Sequence, residues 1–145
     1  MGNSLFMLLQ NKIFISLFSA WTISQISKLI IEFIKFKKID PYIFFRSGGM
    51  LSAHSASVTA LCAGVYLAEG VNNLFIVSLA FAILVMYDAR GIRYEASKHA
   101  KLLNKLIKDG KIDFPKLKEL IGHEVSEVIA GAILGIVVSI IVFWI

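Results

Sequence analysis

What most constrains this chain is the length of its apolar runs. Four of them approach or reach the twenty or so residues that an α-helix needs to cross a hydrocarbon core of about 30 Å. They fall at 13–34 (IFISLFSAWTISQISKLIIEFI), 51–68 (LSAHSASVTALCAGVYLA), 71–87 (VNNLFIVSLAFAILVMY) and 125–145 (VSEVIAGAILGIVVSIIVFWI). Hydrophobic residues make up 57% of the chain and charged residues 17%, against roughly 45–50% and about 25% in soluble domains. Such a balance excludes a soluble enzyme, a disordered tail and a secreted disulfide scaffold. Cys62 is the single cysteine, so no internal disulfide can form. With two prolines and no Ser/Gly-rich stretch, nothing marks a linker. The expectation is one all-α integral membrane domain over 1–145, a polytopic bundle of about four transmembrane helices.

The surplus of Lys+Arg 15 over Asp+Glu 10 could suggest nucleic acid, but its placement points to membrane topology, and no nucleic-acid partner is expected. Residues 35–46 carry Lys35, Lys37, Lys38 and Arg46 against Asp40, and 88–119 carry nine Lys/Arg against five acids, whereas Glu69 alone stands between the second and third spans. The positive-inside rule then places the first and third connections in the cytoplasm and both termini outside, in the cell (inner) membrane. The first dozen residues, without a basic start or small-residue cleavage site, read as an interfacial lead-in and not as a removable signal.

The short EGVNN connection folds spans two and three into a helical hairpin. From Gly91 to Lys111, Ile92, Ala96, Leu103, Leu106 and Ile107 recur at helical spacing, with Lys98, Lys101, Lys105 and Lys108 on other faces. That pattern predicts an amphipathic helix lying on the cytoplasmic interface. Asp109-Gly110 would stop it, and Pro115 flanks a short piece leading to Gly122. Gly131 and Gly135 form a GxxxG that permits close helix contact, and a homodimer through span four or span one is conceivable.

Polar residues cluster where chemistry would sit. His54 lies in RSGGMLSAHSAS at the start of span two and His123 in IGHEVSEV at the start of span four. Both are near helix N-termini, where free amides and the macrodipole favour an anion, phosphate above all. Gly48 and Gly49 allow backbone to approach an oxyanion, and Ser52 and Ser55 can donate hydroxyl hydrogen bonds. Glu127 stands one turn from His123, where it can hold the imidazole in one tautomer; alternatively Glu127 serves the helix start and His123 caps it. Gln25 and Lys28 interrupt span one on one face, so Lys28 either faces the interior or snorkels to the interface. At the end of span three, YDARGIRYE sets Asp88, Arg90 and Arg93 at the same level, where an arginine could fork across phosphate oxygens with an acid steering it. Among the lysines, His99 reads as surface.

At GGMLSAHSA, VMYDARGIR, LLNKL and LKELIGHEVSEVIAGAILG the chain resembles the divergent branch of the type 2 phosphatidic acid phosphatase superfamily, membrane proteins also described as acid phosphatase/vanadium haloperoxidase-related. The likeness runs from Gln25 to the last helix. The branch typically reads GGMPSSHS where this chain reads GGMLSAHS, so His54 and Ser52 match while Leu51 replaces a proline and Ala53 a hydroxyl residue. An HxxxD pattern corresponds to His123 and Glu127. No Ser-Arg dipeptide precedes His123 at the usual distance, which leaves Arg93 as the candidate phosphate clamp, and Lys28 or Lys38 stands for an early lysine. What the resemblance implies is a lipid phosphate phosphatase in which His123 attacks phosphorus, Glu127 orients it and His54 protonates the departing alkoxide, without metal or other cofactor.

Two other functions compete. Asp88, Glu127 and a histidine could hold a divalent ion for phosphoryl transfer. Alternatively, a degenerate site could retain anionic headgroups without turnover. Phosphatidate, phosphatidylglycerol phosphate and polyprenyl (pyro)phosphate all present the same group to these residues.

Overall fold

The computed structural model describes residues 2–37, 50–111, 113–119 and 121–145. Gly48, Gly49, Lys38 and most of the first basic connection lie outside the described residues. Six helices follow in order: α1 (Gly2–Gln10), α2 (Lys12–Phe36), α3 (Ala53–Glu69), α4 (Asn73–Arg90), α5 (Ile92–Lys108) and α6 (Val125–Trp144).

Short polar side chains start three of them. Asn11 Oδ1 accepts from the Ile13 and Phe14 amides at 2.9 and 3.1 Å, Ser52 Oγ from the Ser55 amide at 3.3 Å, and Asn72 Oδ1 from the Phe75 amide at 2.9 Å. Each satisfies amides that a helix start leaves without internal partners. Gly70, at φ 71°, ends α3, and with Asn72 it makes the expected α3–α4 hairpin.

By length and composition, α2 over Lys12–Ile34, the helical stretch Asn73–Lys108 and α6 over Val125–Trp144 can cross a membrane. In the middle stretch the apolar part is α4, since α5 carries Lys98, Lys101, Lys105 and Lys108. The fourth expected span, α3, has 17 residues, roughly 25 Å of helix, and packs against α2, α4 and α6. Its buried residues are mostly small: Ala53, Ser55, Ala56, Val58, Thr59, Ala60, Cys62, Gly64 and Val65. The bundle is therefore three long apolar helices around a shorter one that needs no large hydrophobic side chains, because its neighbours and not lipid surround it. Ile76, Val77, Ile83 and Leu84 of α4 and Ile129, Ile133, Ile136 and Ile140 of α6 are exposed, as lipid-facing side chains must be.

Helices α3 and α6 run parallel, because Ser52 meets Glu127 at the start of both (N to O, 3.1 Å) and Ala60 meets Ser139 further along (Oγ to O, 2.9 Å). Gly131 and Gly135 make the approach possible. A Cβ on Gly131 would come within 2.5 Å of the Ser52 carbonyl oxygen, and one on Gly135 would overlap Thr59 and the Ala56 carbonyl. Thr59 Oγ1 also donates to the Ala132 carbonyl at 3.1 Å. The GxxxG thus joins two helices of one chain, and a dimer through span four would have to use other faces. Helices α2 and α4 run antiparallel to α3. Ser24 Oγ of α2 donates to the Leu51 carbonyl at 2.7 Å, while at the other end Lys12 Nζ reaches the Phe143 carbonyl at 3.4 Å.

Helix α5 is amphipathic as its spacing predicts, but it buries a different face. Ser97, Ala100 and Asn104 are covered, whereas Ile92, Leu102 and Leu103 are exposed at 71%, 60% and 40%. The cause is the segment that follows, which is not helical over 113–119. Asn104 donates to the Leu117 carbonyl and accepts from the Leu117 amide, both at 2.8 Å, and Ser97 Oγ accepts from the Ile121 and Gly122 amides at 3.2 and 3.0 Å. A segment outside helix or sheet has backbone groups to satisfy, so it seeks the polar stripe of the helix and leaves the apolar one outward.

Candidate functional site

At one end of the bundle the N-termini of α3 and α6 lie side by side, and the C-terminal ends of α2 and α4 close around them. Each N-terminus carries roughly half a positive charge from its aligned peptide dipoles. Two at one level make a local field that favours an anion.

His123 sits immediately before α6 and is fully buried, at 0% exposure. Backbone places it: its amide donates to the Ala89 carbonyl at the end of α4, 3.0 Å away. Gly122 lies so close to the Arg93–Tyr94 backbone that a Cβ there would overlap it. The imidazole Nδ1 faces Glu127 Oε2 at 3.2 Å. That same oxygen accepts from the Glu124 amide at 3.1 Å, so Glu127 serves the helix start and faces the histidine with one atom; the N-cap of α6 is Glu124 and not His123.

His54 stands in the first turn of α3, with its ring centroid 6.0 Å from that of His123 and the planes inclined at 66°. Its Nδ1 is buried and has no hydrogen-bond partner among the described residues, and neither has the buried Ser55 Oγ beside it. Ser52 is fully buried and its oxygen is engaged by the Ser55 amide. Lys28 is 4% exposed, so it faces the interior and does not snorkel, and it lies within electrostatic range of Glu127. The charges of Arg93, His123, Lys28 and Asp88 all act on His54. Arg93 Nε donates to Asp88 Oδ2 at 2.6 Å across the α4–α5 corner, with each side chain 40% exposed. That pairing gives Asp88 its partner at the membrane edge and leaves the terminal nitrogens of Arg93 to other acceptors.

The structure therefore gathers His123, His54, Glu127, Ser52, Lys28, Arg93 and Asp88 at one end, and leaves His99 on the surface of α5. Gly48 and Gly49 lie outside the described residues. A cavity of ≈ 350 Å³ opens against His123, lined by Arg90, Tyr94, Glu124, Val125 and Ser126. Among the described residues no three His, Cys, Asp and Glu side chains gather as a metal site; Asp88 is held by Arg93, and Glu127 by His123 and the start of α6. Sequence reasoning passed over Ser97 and Asn104, whose hydrogen bonds lay the approach to His123 along α5. Asn104 falls within LLNKL, one of the stretches that carry the resemblance, but the spacing of a lone Ser or Asn on a lysine-rich helix does not set it apart from solvated surface.

Comparison with known proteins agrees with a membrane protein. The chain is 39% identical over 150 residues to YuiD of Bacillus subtilis (strain 168), described as an uncharacterized membrane protein, and the match covers 92% of this chain and 95% of the relative. No solved structure matches. The model of the Divergent PAP2 family fits residues 9–138, a span holding both histidines, Glu127 and the glycines that bring α6 onto α3, and the chain belongs to that family.

Proposed function

We propose that this protein is a metal-independent lipid phosphate phosphatase working through a phosphohistidine. The observation that carries the reading is the pair of histidines 6.0 Å apart at two adjoining helix N-termini, one of them held by a carboxylate. A phosphate seated against the edges of both rings would come within hydrogen-bond reach of both. With Nδ1 turned to Glu127, His123 would attack phosphorus through Nε2; a P–N bond forms as the P–O bond to the lipid breaks. His54, protonated, would give its proton to the departing alkoxide. Water would then lose a proton to His54 and attack phosphorus, breaking the P–N bond and releasing inorganic phosphate. Lys28, the outer nitrogens of Arg93, the Ser55 hydroxyl and the two helix dipoles would stabilise charge on the equatorial oxygens. Family membership supports a phosphatase-related membrane protein; the mechanism rests on the geometry.

The Lys/Arg excess of 88–119 supports a cytoplasmic site in the cell membrane. The substrate would enter from that leaflet. The test is phosphate release by purified protein from a panel of lipid phosphates, with and without chelator, combined with trapping of an acid-labile phosphoenzyme. Turnover that survives chelator and leaves label on His123 is the expected result. Activity that vanishes with chelator and returns with a divalent ion would replace this mechanism by a metal one, and headgroup binding without turnover would leave a lipid-retaining site.

A further inference from the structure

Away from the histidines, a second basic feature has no part in that mechanism. Helix α5 and the non-helical segment after it flank an open groove of ≈ 450 Å³ lined by Lys101, Asn104, Lys105, Ile107, Lys108, Lys116 and Glu119. Four ammonium groups face one carboxylate, and Glu119 is already engaged by Asn104 Nδ2 at 2.8 Å. None of the four lysines has an ion-pair or hydrogen-bond partner among the described residues. Lys101 and Lys105 are one turn apart, and Lys105 and Lys108 nearly so, a spacing at which like charges destabilise a helix by about 0.2–0.5 kcal/mol per pair. Lys98 of the same helix is by contrast paired, with Glu95 at 2.8 Å. A concentration of unpaired like charge around a cavity is the arrangement an anion relieves.

We propose that this groove is a second, non-catalytic anion site that takes the phosphate headgroup of an anionic membrane lipid. The position of α5 favours lipid as the source. The chain leaves one span at Arg90 and enters the next at Val125, so both ends of the connection that holds the groove stand at the headgroup level of one leaflet. Exposed Ile92, Leu102 and Leu103 would dip into the interface while the flexible lysine stems carry their ammonium groups to the headgroups. Occupancy has a route to the first site, because Asn104 lines the groove and holds Leu117. Two turns back along α5, Ser97 holds Ile121 and Gly122, next to His123. A headgroup bridging Lys116 to Lys101, Lys105 and Lys108 would fasten the 113–119 segment to α5 and so steady His123.

The experiment is native mass spectrometry of the detergent-purified full chain with phosphatidylglycerol, phosphatidylcholine or inorganic phosphate. Lys101→Gln/Lys105→Gln is compared with Lys98→Gln/Lys111→Gln, which removes the same charge outside the groove, and with Lys101→Arg/Lys105→Arg, which keeps it. Hydrogen exchange at the Leu117, Ile121 and Gly122 amides is read in parallel. Phosphatidylglycerol is expected to bind in preference to phosphatidylcholine and to slow exchange at those amides. The groove variant should lose about 5-fold in affinity per lysine removed, with the control and arginine variants close to wild type. Equal losses in groove and control variants, no preference for the anionic lipid, or binding of inorganic phosphate without the lipid would each overturn the assignment. None of these readouts requires turnover, so the result stands apart from the phosphatase reading.

Discussion

Glu127 fills two roles with one oxygen, and its removal should show both. Glu127→Ala loses the bond to the Glu124 amide, so α6 should be destabilised by about 1 kcal/mol, read as a lower unfolding midpoint in detergent. Glu127→Gln keeps an oxygen for the amide but removes the charge beside His123; it should stay near wild type in stability while phosphate release falls. The histidines should fail differently. His123→Ala is expected to abolish turnover and any trapped phosphoenzyme, whereas His54→Ala should slow release by about 10²–10⁴-fold, the usual share of general acid catalysis. With a nitrophenyl phosphate, whose leaving group needs no proton, the His54→Ala defect should shrink and the His123→Ala defect should not; wild-type turnover in His123→Ala would refute the assignment. Leu51 carries a conformational lesson at the same scale. It replaces a proline of the resembling motif and has φ 58°, a left-handed conformation that costs a non-glycine residue about 1–2 kcal/mol and that proline, locked near −65°, cannot adopt. Its carbonyl is held by Ser24. Leu51→Gly should therefore raise the unfolding midpoint, and Leu51→Pro, the change that restores the motif, should lower it.

Among the elements, the parallel pair of α3 and α6 decides whether a site exists at all. Gly135→Leu would drive a side chain into Thr59 and the Ala56 carbonyl. Overpacking of this kind costs about 1–3 kcal/mol or more. Because the helices must part to relieve it, a loss of phosphate-analogue binding should accompany the lower midpoint even though no substituted atom touches ligand. Binding retained at wild-type strength would show that the two N-termini need not adjoin. Helix α5 acts through its polar stripe. Asn104→Leu preserves size but cannot bond Leu117, so amide exchange across 117–122 should quicken while the exchange of α3, which α5 does not pack against, stays unchanged.

For the whole molecule the testable quantity is orientation. In a Cys62→Ala background, single cysteines at Asn73 and Lys111 lie at opposite ends of the bundle, since α4 begins at Asn73 and Lys111 follows α5. An impermeant thiol reagent on intact cells should label Asn73→Cys and spare Lys111→Cys. The reverse pattern would invert the molecule and move its chemistry to the outer face, leaving the geometry between the histidines as it is.

The residue pattern alone was enough for the all-helical class, the membrane, the α3–α4 hairpin and the amphipathic α5, because run length, charge placement and helical spacing are local properties of the chain; it marked His54, His123 and Glu127 as candidates beside helix starts, and their proposed roles came from the family resemblance. What it could not settle is which apolar face meets lipid and which meets protein. In water that distinction is written as apolar against polar; in a bilayer both surroundings are apolar, so the pattern is silent and packing decides. Only the folded chain puts α3 inside, because its Ala, Ser, Gly and Thr residues admit three neighbours closely. Gly131 and Gly135 meet α3 and not a second copy for the same reason of shape. Helix α5 turns Ser97 and Asn104 inward because the backbone groups of Leu117, Ile121 and Gly122 must be satisfied, a demand no periodicity in α5 records. The distance from His54 to His123 follows from that packing: two helices brought into parallel contact by two glycines bring together side chains far apart in the chain.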